Sequence, residues 1–324
     1  MKRVYEEKVK TMIQNYEDIR KSFRWENDMV KHLVALTFAM KDKAINPDCI
    51  NEMKGYIKSQ TGAFSSFRGH MMFTLSGLLC AASQTPKKQF DVMLRNEKVL
   101  KDVGFKYSSY LPTALYALSS VYEGDDVKSY AEKAIGIYKQ MKQNHPFLTG
   151  GDDYALAVLL ANTDHGPSQL EAYYRALHER GFKKGDGLQM LSHVMAFSQK
   201  DMRDSVEHCD QIYQHLKTNK LNVYTTYYPA IGLISLLDLD QEELMADLVE
   251  VATYLKSEKK YRWLGKGMHV LMASSIIASQ YLHEKQEGTV VNTTVSLAIQ
   301  AIIAAQQVVM ISAATSAAAT SSST

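Results

Sequence analysis

Residues 64–82 read FSSFRGHMMFTLSGLLCAA. An aromatic residue and a serine pair lead into a segment, Met71 to Ala82, that is apolar almost all round. A helix without a polar face must be buried on several sides. The same order returns along the chain: Ser108-Ser109 precede Leu111 to Leu118, and Thr225-Thr226 precede Ala230 to Leu237. Phe23, Phe64, Phe105, Phe147, Phe182, Val223 and Leu264 open the copies, at spacings of 41, 41, 42, 35, 41 and 41 residues. A period near forty marks stacked helix pairs, because one pair cannot bury its own apolar face. No alternating Val/Ile/Thr-rich strand interrupts the pattern.

The spacing therefore predicts an all-α protein of about seven helix pairs, from about residue 23 to 285. The first helix of each pair, A, is buried. The second, B, is amphipathic: over 125–143, Tyr130, Ala134, Ile137, Tyr138 and Met141 share one face, and Asp126, Lys128, Glu132, Lys133 and Lys139 the other. Apolar A helices favour a closed or nearly closed α/α ring with A inside and B outside; an open superhelix is the alternative. The joins carry helix punctuation. Gly62, Gly104 and Gly181 are expected to end B helices in the left-handed conformation, with the repeat's apolar residue folding back just beyond. The small polar pair is expected to cap the next A helix. Pro112 and Pro229 suit the starts of A helices, and Pro47, Pro86 and Pro167 those of B helices. Gly77, Gly136 and Gly232, inside helical patterns, suggest close helix approach.

With 37 basic and 35 acidic residues the formal charge is +2, and neither sign forms long runs. That is poor material for a nucleic-acid surface. Cys49, Cys80 and Cys209 are odd in number and scattered, so the expectation is a reducing cytoplasm with Cys80 as a buried thiol and no disulfide. Met1-Lys2-Arg3 is followed by no apolar signal core. Residues 1–287 form one repeat domain, and 288–324 an uncharged Ala-rich segment, expected to be a capping helix and a frayed tail. Its length would suit a membrane span, but Gln300, Gln306 and Gln307 weigh against one, leaving 290–311 as the place where membrane association would arise.

Phe64-Ser65-Ser66-Phe67-Arg68-Gly69, Ser108-Ser109-Tyr110-Leu111-Pro112, Pro146-Phe147-Leu148-Thr149 and the tail segment Ala301 to Gln307 resemble domain-of-unknown-function family 4003 of Gram-positive bacilli. The resemblance covers essentially the whole chain. It implies a bacterial cytoplasmic protein and carries no catalytic residue.

Every A helix in such a repeat points its N-terminus the same way, gathering positive helix ends at one face. Trp25, Arg68, Tyr110, Asp152, Asp153, Asp186, Tyr227 and Lys266 fall at those starts and form the candidate ligand-binding rim. Gly150-Gly151-Asp152-Asp153 stands out as an insertion; its carboxylates would need a third, Glu26 or Asp186, to act together. Zinc, phosphate-loop and dinucleotide motifs are absent, so neither a metal nor a cofactor is expected. The sequence favours a binding protein for a peptide or small anionic ligand, without nucleic-acid partners. The alternative is an α/α-ring enzyme acting on a sugar or isoprenoid, with Asp152 or Asp153 as acid or base.

Overall fold

The computed structural model describes residues 1–122, 124, 126–163 and 167–288 of the 324-residue chain. These residues form fourteen α-helices and no strand. Seven A helices, apolar and largely buried, are α2 (Asp28–Met40), α4 (His70–Ala82), α6 (Leu111–Val121), α8 (Tyr154–Leu160), α10 (Asp186–Met195), α12 (Tyr228–Ser235) and α14 (Lys266–Gly288). The B helices are α1 (Arg3–Ser22), α3 (Pro47–Gln60), α5 (Pro86–Val103), α7 (Val127–Asn144), α9 (Pro167–Glu179), α11 (Met202–Thr218) and α13 (Gln241–Ser257). Helix α7 buries Tyr130, Ala134, Ile137 and Met141, as the three-four spacing requires.

Helix α1 precedes the first repeat and stands where an outer partner for α14 is needed. It packs on α2, α13 and α14, while α14 also packs on α2. The first helices and the last described ones are thus neighbours. Tyr261 is fully buried there, donates its hydroxyl to the Met12 carbonyl at 3.2 Å, and lies edge-on to His32, which stacks on Tyr16. Lys2 pairs with Asp247 at 2.7 Å and Glu243 at 2.8 Å across the same seam.

The sequence period is visible in geometry. Phe105 meets Tyr154 edge-on at 5.0 Å, and Phe182 meets Tyr228 in the same way at 5.0 Å. In both repeats the next backbone N–H, of Lys106 or Lys183, donates to that tyrosine hydroxyl. Gly104 and Gly181 end α5 and α9 with φ of 119° and 95°, and the Phe N–H that follows reaches back to Leu100 or Leu177.

Several expectations fail for local reasons. Phe64 and Phe147 do not fold back: they are 94% and 98% exposed, and Phe67 fills the core in the second repeat. Gly62 takes no left-handed turn, since α3 ends at Thr61 in extended backbone. The serine pairs shape the joins instead of capping helices: Ser65 and Ser108 accept from the N–H two residues on, whereas α4 and α6 have no side-chain cap. A Cβ at Gly77 or Gly232 would meet a neighbouring helix, at Val34 or Leu191, but Gly136 on outer helix α7 faces open space. Cys49 and Cys80 form a disulfide, because antiparallel α3 and α4 set their Cα atoms 6.1 Å apart; Cys209 is the buried free thiol. Scattered positions in sequence were no guide to that proximity.

Among the described residues no helix is long and apolar enough to cross a membrane. The expected tail helix, including 290–311, lies outside the described residues beyond Gly288.

Candidate functional site

Seven B-to-A joins, residues 23–27, 61–69, 104–110, 145–153, 180–185, 219–227 and 258–265, lead into the seven A helices. They meet one after another. Tyr107 donates its hydroxyl to the Phe64 carbonyl at 3.0 Å. A Cβ on Gly151 would touch Ser108 and Tyr110, one on Gly187 would lie 1.9 Å from the Thr225 carbonyl oxygen, and one on Gly267 would strike the Tyr227 ring. Only glycine lets these joins approach so closely. The A-helix starts therefore share one end of the molecule.

The expected rim residues divide into four groups there. Trp25 projects freely, 94% exposed, with the Arg24 guanidinium 5.9 Å from its ring centre. Arg68 turns back onto its own repeat, donating to the Thr61 hydroxyl at 2.9 Å and to the Lys58 and Thr61 carbonyls, where it completes the end of α3. Tyr110 and Tyr227 pack in the contacts between joins, and Lys266 opens α14 half-buried.

Asp152, Asp153 and Asp186 form the last group. Burial raises the Asp152 carboxyl, and the Asp186 charge raises it further. Asp153 is buried on the inner side and pushed up to about 8, chiefly by burial and then by Asp152 and Asp186. Its carboxyl accepts from the Gly150 N–H at 2.9 Å and from Gln189 Nε2 at 3.5 Å. His193 Nδ1 lies 3.9 Å away, but burial holds that imidazole down to about 3. Two neutral groups face each other at neutral pH, so this approach is not an ion pair. Behind them a cavity barely the size of a water molecule is lined by His145, Glu171, Ser192 and His193, with His145 Nε2 2.9 Å from Glu171. Glu26 stays away, paired with Lys54 at 2.5 Å. Gln189 and His193 carried no sequence signal, being single polar residues in an apolar helix. Among the described residues no three His, Cys, Asp or Glu side chains form a metal-holding group.

Of the exposed aromatics the sequence singled out only Trp25 for the rim. All six exposed large apolar side chains of the described residues, Trp25, Phe64, Tyr107, Phe147, Tyr224 and Trp263, lie in these joins. Charge divides the same way. The seven joins hold ten Lys and Arg against four Asp and Glu, although the whole chain is only +2. At the opposite, A-to-B turns, the described residues are Lys41, Lys43 and Lys200 against Asp42, Asp126, Asp201, Asp238 and Asp240. The end that carries the aromatics is the basic end.

A family model, "Protein of unknown function (DUF4003)", matches residues 15–308. The chain belongs to this family. It is similar to "Uncharacterized protein YeaA" of Bacillus subtilis (strain 168), with 28% identity over 309 residues, covering 93% of this chain and 92% of that protein. No solved structure matches. The family and this relative are without an assigned activity, and the function is unknown.

Proposed function

We propose that this family member is a binding protein built as a closed α/α ring, whose working surface is the basic, aromatic end where the B-to-A joins meet. Closure is supported by the packing of α14 on α2 and of α1 on α13 and α14. The observation that carries the functional reading is the coincidence, at one end, of every exposed large apolar side chain of the described residues and an excess of cations. Monomeric proteins scatter such side chains singly, and their collection on one surface marks an interaction site. The excess of cations selects an anionic ligand, a peptide or a small molecule, over a cationic one. The compartment is part of the same proposal: the cytoplasm, where the Cys49–Cys80 pair would have to be held reduced.

One observation favours the enzyme reading. Asp153, held neutral to about pH 8, has the protonation state a general acid needs. At 2% exposure it has no route to a substrate, so binding is the better account.

A calorimetric titration of anionic peptides and small phosphorylated or carboxylated compounds tests the binding reading. Wild type is expected to bind at least one of them, and Lys183→Glu/Lys184→Glu to weaken that binding about tenfold, as loss and reversal of two exposed charges should. Equal affinity in both proteins would move the site elsewhere.

A further inference from the structure

We propose that the basic, aromatic end docks on the surface of an anionic phospholipid bilayer. This rests on the binding-face reading and narrows its anionic ligand to headgroups presented in a membrane.

The shape of the surface argues first. Its aromatic side chains come one per turn from six separate joins and stand clear of the protein, between 64% and 98% exposed. A groove for a peptide would draw its apolar residues together and half-bury them. Single rings projecting from successive turns instead suit a flat, laterally fluid partner that meets all of them at once. Trp and Tyr favour the headgroup level of a bilayer, where an apolar ring and a polar edge are both satisfied.

Charge argues next. Arg24 lies against Trp25, Arg262 stacks on Trp263 at 4.8 Å, and Lys106 precedes Tyr107. The join before α10 lacks an exposed aromatic and carries exposed Lys183 and Lys184 in its place. Basic residues beside shallowly inserted rings are the composition that holds a protein on an anionic leaflet. The acidic residues of the opposite turns would be turned away from the bilayer. A second copy is a poor occupant, because two basic ends would face each other. Single-stranded nucleic acid also uses rings and cations, but it stacks successive bases along one groove.

The chain supplies its own probe. Its two tryptophans, Trp25 and Trp263, both belong to this surface. Full-length protein is titrated with vesicles of phosphatidylcholine, and with vesicles in which about a third is replaced by phosphatidylglycerol. Tryptophan emission and co-sedimentation are followed together. Anionic vesicles are expected to shift the emission to the blue and pellet the protein; neutral vesicles and added salt should abolish both. Lys183→Glu/Lys184→Glu and Phe64→Ser/Phe147→Ser should each weaken binding at least tenfold, with unchanged circular dichroism. Lys200→Glu, at the opposite end, should leave it unaltered. Sedimentation without a tryptophan shift, or with full affinity in the face variants, would overturn the proposal and assign membrane affinity to another part of the chain. Binding of free glycerol phosphate or a soluble peptide with no vesicle binding would overturn it while keeping the binding-face reading. Binding of a single-stranded oligonucleotide in place of vesicles would overturn it in favour of nucleic acid. Failure with vesicles and with every soluble anion would sink both.

Discussion

Asp153 is the residue whose chemistry departs furthest from its sequence appearance. Beside Asp152 it looks like half of a charged pair, yet burial keeps it protonated to about pH 8. The sign of its effect follows. In the unfolded chain an aspartate ionises near pH 3.9, so its folded-state preference for the proton helps stability below that pH and is lost as the pH rises to about 8. Asp153→Asn keeps the shape and an acceptor for the Gly150 N–H without the ionisation penalty. Urea unfolding should show the variant more stable than wild type by about 5 kcal/mol at pH 8, with the gain shrinking towards pH 4. A gain independent of pH would mean that Asp153 is ionised in the fold. The histidines act in the opposite direction. His32 and His193, held down to about 4 and about 3 by burial, are neutral in the folded state. Their contribution is present above the unfolded value of about 6.5 and is lost as the pH falls below it.

Among the elements, the A helices pack more tightly on their neighbours than outer helix α7 does at Gly136. Gly187 opens α10 directly beneath the Thr225 carbonyl, and a Cβ there would have to displace backbone. Gly136 sits in the middle of α7 with nothing within 4 Å of its missing Cβ. The two substitutions to alanine should therefore differ in sign. Gly136→Ala should stabilise by about 1 kcal/mol through helix propensity, and Gly187→Ala should destabilise by about 2 kcal/mol or more through overpacking. Thermal unfolding of both variants measures the difference. Equal effects would show that the joins give way easily and do not fix the order of the A-helix starts. The helical spacing around Gly136 suggests a close approach that the structure does not show, while Gly187 carries no signal in the sequence; what separates the two is the neighbouring repeat.

The first helices and the last described ones meet at a seam where Tyr261, Tyr16 and His32 pack together and Lys2 reaches Asp247. A closed ring of this length should have a radius of gyration of about 20 Å, the value for a compact domain. Small-angle scattering checks this, and a clearly larger radius would select the open superhelix.

What the sequence determined by itself was the periodic part. Seven apolar runs set the seven buried helices, prolines marked helix starts, Gly104 and Gly181 marked helix ends, and amphipathic spacing set the wet face of the outer layer. Each of these depends on interactions within a few turns of chain, so local order carries them. Tertiary structure alone decided the rest. It joined Cys49 to Cys80, put Asp153 beside His193, and made α1 the outer neighbour of α14. It also converted an even scatter of charge into one basic and one acidic end. The cations of the basic end number none to three per join, and the joins are about forty residues apart in sequence. They come to one end because the A helices of the described residues begin there.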